Sequence, residues 1–215
     1  MRGLVHSYLF LRRAIGTLGL LLPLVLIAGG YLADGRVLSS ISGYYYSPVR
    51  DIFVGAMCAI GVFLFSYRGY DRVDDLASDV AAVAAIGLAL LPTTPPDPSE
   101  HAKLIGVLHL VFAGIFFLSL AYFCLVLFRK SDDPTPTPRK AARNRVYVAC
   151  GLAIIGSLAL IVASGPLGIP GELRPALWLE TVATMAFGLA WLTKGEAILG
   201  DLSGERAPTE VSPAG

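Results

Sequence analysis

The sequence predicts an all-α polytopic membrane protein, a bundle of six transmembrane helices with both termini on the cytoplasmic side. Three observations carry that expectation. The chain of 215 residues is 55% hydrophobic and 15% charged, where soluble domains carry roughly 25% charged residues, and its mean hydropathy is +0.67. Its apolar residues come in long runs, as a helix needs to cross a bilayer with ~20 of them. Its basic residues are also sorted by side. With the N-terminus inside, Arg36, Arg50, Lys103 and Arg174 fall outside, which leaves 13 of the 17 Lys and Arg inside, and such asymmetry sets orientation. The expected location is the bacterial cytoplasmic (inner) membrane.

The spans are expected at 14–32, 49–66, 76–91, 101–128, 145–163 and 175–193, within one membrane domain over 1–200. Arg2, Arg12 and Arg13 precede the first, like the start of a signal peptide. Its apolar run is too long for one, and AGGYLADG offers no A-x-A site, so it reads as a true span. Ser47-Pro48 opens the second, with Ser47 as N-cap and Pro48 at the first helical position. That leaves Asp51 in the first turn, where the helix dipole favours a carboxylate. Asp51, Gly55 and Cys58 share a stripe, and the small pair Gly55 and Ala59 suits close helix packing. This packing is expected to turn Asp51 toward the interior.

Between spans two and three, Gly69 suits a tight turn, and Arg68, Asp71, Arg72, Asp74 and Asp75 read as a local charge network. Asp74 or Asp75 is the expected cap of the third span, an alanine-rich central packing helix. The fourth is the longest, so tilt or an extension beyond the membrane is expected. Its Ala102, Gly106, His109 and Ala113 line one stripe, with His101 about 80° and ~12 Å from His109. Alternating Pro and Thr then disfavour helix, which makes 129–145 a cytosolic linker with basic residues set against anionic headgroups. The polar tail, 201–215, is expected to be disordered.

Glu180, well inside the sixth span, is the most pointed signal, because a carboxylate there is costly and usually partnered. Thr184 lies one turn on. With spans two, four and six adjacent, Asp51, His109 and Glu180 would meet in an outward-facing pocket that Thr184, His101 and Tyr45 complete. Tyr44 to Tyr46 also fit an interfacial aromatic belt. The same trio, His109, Glu180 and Asp51, are the candidate metal ligands, since imidazole and carboxylates bind zinc. Cys58, Cys124 and Cys150 lie in apolar runs without CxxC spacing, so packed thiols are expected. No phosphate loop, nucleophile elbow or cofactor fingerprint appears, and no cofactor is expected. A net charge of +1 gives no reason to expect nucleic acid.

The run YYYSPVRDIFVGAMCAIGVFLFSYRGYD, then ALLPTTPP and a span with H-x-x-F-A, resembles bacterial six-span membrane proteins of unknown function over most of residues 39–128. That resemblance implies a compact bundle and carries no activity. Membrane hydrolases related to the alkaline ceramidases use an H-x-x-x-H pair, which His6, His101 and His109 do not form. The sequence therefore favours a pocket for membrane lipid or a small amphiphile. The alternatives are a membrane hydrolase acting on a lipid headgroup, a small transporter, and an accessory subunit with a homo-oligomeric or other membrane partner.

Overall fold

The structure is a computed structural model that describes residues 2–69, 71–131 and 137–199. Six α-helices make up the described chain, and no strand occurs among these residues. They are α1 (Arg2–Asp34), α2 (Arg50–Ser66), α3 (Arg72–Leu90), α4 (Glu100–Leu125), α5 (Pro138–Ser164) and α6 (Pro175–Lys194). Each packs on the next in chain order and α6 returns to α1, closing a ring, while α6 also reaches α4 across it. Four helices, α1, α4, α5 and α6, are long and apolar enough to cross a membrane. By contrast α2 has only 17 residues, and α3 carries Asp74, Asp75 and Asp79 in its first half.

The ring is sealed by small residues. A methyl group at Gly16 of α1 or Gly188 of α6 would collide with the backbone of the facing helix, and one at Gly19 with the Phe187 ring. In α3, Ala81, Ala82, Ala84, Ala85 and Ala89 are all buried, but the helix packs mainly on α2 and α4, so it is a member of the ring and not the central helix expected. Cys124 and Cys150 are buried, Cys58 is half-buried, and all three are free thiols.

Several boundaries differ from expectation, each for a local reason. The cap of α2 is Val49 rather than Ser47, because Ser47 and Pro48 form a preceding turn in which the Ser47 hydroxyl donates to the Tyr44 carbonyl at 2.7 Å. Asp71, not Asp74 or Asp75, caps α3 and accepts from the Val73 and Asp74 amides. The expected linker shortens at its far end: Thr137 accepts from the Lys140 amide and Pro138 takes the first turn, so the basic run 139–145 is helical. A cap and an N-terminal proline outweigh the disfavour of the Pro-Thr repeat before them. The rest of that repeat, 132–136, and the tail, 201–215, lie outside the described residues.

At the end of the bundle that the charge pattern leads one to expect on the cytoplasmic side, termed the inner end, Lys130 bonds Asp74 at 2.5 Å and Asp71 at 3.0 Å, while Arg68 pairs with Asp79 at 3.1 Å. The expected local network is thus split, with its carboxylates reaching a lysine beyond α4. Above these pairs lies a dense aromatic cluster, in which Trp191 packs on Tyr67 and Phe128 with ring centroids at 5.0 and 5.1 Å.

Candidate functional site

The opposite, outer end is covered by the segment from Leu38 to Tyr46. Ser42–Tyr46 form a 3-10 turn, and its Tyr44 is fully buried against Gly30, where a side chain would strike the ring. Three attachments hold this roof down. The half-buried Glu180 carboxylate accepts from the Ile41 amide at 2.6 Å and the Ser42 amide at 3.2 Å. The Leu177 amide, in the first turn of α6, donates to the Ser39 carbonyl at 2.9 Å. Helix starts leave such donors unsatisfied, and the N-cap of α6, Arg174, makes no side-chain cap bond. Finally the Tyr46 hydroxyl donates to the Thr93 carbonyl at 2.7 Å, linking the roof to the loop after α3.

Beneath the roof lies a narrow cavity of ≈ 30 Å³ bounded by five helices, with α2, α4 and α6 among them. Phe53, Met57, Phe116 and Phe187 give it apolar walls; Glu180, Thr184 and Ser42 supply its polar groups. On the other side of the roof is an open basin of ≈ 510 Å³ lined by Arg36, Ser39, Ser40, Tyr46, Thr93 and Thr94, among others. Its Arg36 pairs with Asp34 at 3.0 Å, so the basin is rich in hydroxyls and close to neutral.

The expected trio does not assemble. Glu180 and Thr184 line the cavity, and the Thr184 hydroxyl donates to the carbonyl of Glu180 at 2.7 Å. His109 is buried but faces the end of α3, with Nδ1 2.7 Å from the Leu91 carbonyl. A carbonyl only accepts, so this nitrogen carries the proton, and the ring serves to satisfy a helix C-terminus. Asp51 is exposed, because α2 buries the stripe Phe53, Met57, Ile60, Gly61 and Leu64 instead of the face with Gly55. His101 is exposed in the first turn of α4. Tyr45 sits half-buried outside the cavity, its ring under the Arg50 guanidinium at 4.3 Å and its hydroxyl accepting from Arg50 at 2.7 Å.

Asp51, His109 and Glu180 thus point to three places, so neither a carboxylate–histidine centre nor the zinc set considered from the sequence is formed by them. Among the described residues no group of three or more His, Cys, Asp or Glu could hold a metal ion. Glu180 is partnered as the cost of its position requires, but by backbone amides. Sequence reasoning missed that, because an amide donor has no residue-type signature. The one available hint was the hydroxyl-rich SSISG run, whose small residues permit a tight turn over a helix end.

The fold and this site define an all-helical bundle with four membrane-capable helices and a roofed cavity at one end. No family model, curated protein or solved structure matches the chain.

Proposed function

We propose that this is a six-span inner-membrane protein, N-in and C-in, that binds a lipid or small amphiphile at its outer face. The topology reading draws support from the ring. At 1.5 Å per residue, the 17 residues of α2 and 19 of α3 reach roughly 25–29 Å, close to the ~30 Å hydrocarbon core. They lie side by side between α1 and α4, so a membrane crossed by those two is crossed by α2 and α3 as well. Arg12, Arg68, Lys130, Lys140 and Lys194 gather at one end, the arrangement of a cytoplasmic face.

The observation that carries the binding reading is the pairing of an apolar cavity with a hydroxyl-lined basin across a roof that hydrogen bonds hold in place. An amphiphile needs an apolar and a polar compartment side by side. Pockets for small molecules measure ~300–1,000 Å³, so the cavity of ≈ 30 Å³ represents the closed form, and the roof lifts to admit a chain. Releasing Ile41 and Ser42 from Glu180, together with Ser39 from Leu177, frees the roof from α6.

The test is lipid analysis of the detergent-purified protein beside Ala113→Phe, which fills the cavity from α4. Wild type is expected to retain about one amphiphile per chain, and the variant to lose it with unchanged size and melting. The same lipids on both proteins would sink the pocket and leave a static scaffold.

A further inference from the structure

We propose that the basin on the outer side of the roof receives an uncharged, hydroxyl-bearing head, a hexose or similar polyol carried on a lipid. This rests on the amphiphile reading above and assigns the chemistry of its head. Of the residues that line the basin, Arg36 alone is charged, and its guanidinium is paired with Asp34 at 3.0 Å. A phosphate would have to compete with that carboxylate for the guanidinium. An ammonium head would meet no acid in the lining.

Hydroxyls dominate what remains. Ser39, Ser40, Tyr46, Thr93 and Thr94 all line the basin, and each hydroxyl both donates and accepts. Such a lining answers both roles of a sugar hydroxyl, whereas a phosphate oxygen uses only the donors. Two of the groups already divide these roles. The Ser40 oxygen accepts from the Gly43 amide at 2.9 Å and keeps its proton to donate. The Tyr46 hydroxyl donates to the Thr93 carbonyl at 2.7 Å and keeps its oxygen to accept. The exposed Tyr46 ring sets an apolar body beside that polar tip, matching a sugar ring with its C–H faces and hydroxyl edges.

The basin is also built in advance. The Tyr46–Thr93 bond joins its two walls, the roof and the loop after α3. That loop is pressed onto α4, since a methyl group at the buried Gly106 would strike the Thr94 side chain and amide. The roof wall is seated by the buried Tyr44, whose hydroxyl accepts from the Leu38 amide at 3.4 Å. Polar groups held in place beforehand lose less freedom when a ligand binds. The basin's ≈ 510 Å³ lies within the ~300–1,000 Å³ of small-molecule pockets, enough for one such head.

The experiment is native mass spectrometry of the full chain in a sugar-free polyoxyethylene detergent. It is titrated with glucosyl diacylglycerol, phosphatidylglycerol or phosphatidylcholine of matched chains. Wild type, Thr93→Val/Thr94→Val and Ala113→Phe are compared. Wild type is expected to bind the glucosyl lipid about tenfold more tightly than either phospholipid, and the double variant to lose that preference with two hydrogen bonds. A preference for either phospholipid would overturn the uncharged head, and a sugar preference that survives in the double variant would overturn the basin. Equal binding of all three lipids, weakened in Ala113→Phe, would overturn the head assignment and leave the amphiphile reading standing. No lipid on wild type would sink both. Displacement of the glucosyl lipid by millimolar methyl glucoside would mean a site for free sugar and overturn the lipid-borne head. Should the double variant fail to fold, Ser39→Ala at an exposed position takes its place, where a reduced preference upholds the basin and an unchanged one overturns it.

Discussion

The two ends of this bundle are built from different interactions. The inner end is dense and charged: rings stack between Tyr8, Tyr67, Trp191 and Phe128, and Lys130 ties the start of α3 to the end of α4. The outer end is held mainly by hydrogen bonds between loops and helix ends, and it contains the cavity and the basin. The contrast separates two jobs. An end closed by ion pairs and aromatic contact fixes the geometry of the helices, whereas the roof is joined to α6 through three backbone amides and seated by the buried Tyr44.

The sharpest way to break this division is at Asp74, which is 1% exposed while Lys130 retains 31%. Asp74→Ala leaves Lys130 with Asp71 alone and is expected to cost about 2 kcal/mol, below the range for fully buried pairs because Lys130 is partly solvated and keeps one carboxylate. Thermal unfolding in detergent would check it, and a loss no greater than that of a surface variant would refute the anchoring role. Glu180→Ala should come next, at about 1–2 kcal/mol for two amides left unpaired. Its more telling effect is local: a cysteine placed at Ser42 should label faster with a water-soluble maleimide, while one at the inner end should not. Equal labelling with and without Glu180 would mean that the carboxylate does not hold the roof.

A pH series probes the ion pairs of the inner end. Asp71 is held below its ordinary 3.8, first by the Asp74 amide and then by Lys130, so its stabilisation is full above that value and fades as pH falls through the lowered one. Lys130 is raised above 10.5 by its bonds to Asp74 and Asp71, so its share is full below 10.5 and fades as pH climbs through the raised value. Melting should therefore hold a plateau between about pH 4 and 10.5 in this contribution, and Lys130→Met should flatten its edges. Unaltered edges would remove the staple from the account. The smallest effect is expected from Asp51→Ala, within about 0.5 kcal/mol and with amphiphile retention unchanged. Loss of retention would return Asp51 to the site.

Much of the helix inventory was legible in the sequence because apolar run length and helix-start chemistry are local properties. Thr137-Pro138 is an instructive exception, since the same two residues serve as linker or as helix start depending on the residues C-terminal to them. The site was legible only in part. That Glu180 needs a partner follows from its depth in an apolar run, but the identity of the partner depends on how a loop 139 residues away folds over it. Asp51 was misread because small residues on two faces of α2 offered two packing stripes, and the bulkier one with Phe53 and Met57 prevailed. Burying large side chains returns more free energy than close approach at Gly55.

The glycine seam between α1 and α6 bears on how the protein is made. Gly16, Gly19 and Gly188 join α1 to α6, two helices far apart in the chain. Helices α1 to α5 can each pair with a chain neighbour as they are made, but the ring stays open until α6 arrives. Until then Gly16 and Gly19 lack the helix they pack against, and neither Glu180 nor Leu177 is present to receive the roof. Completion of the outer end is thus coupled to translation of α6, and a chain cut short before it would lack both the latch and the wall behind it.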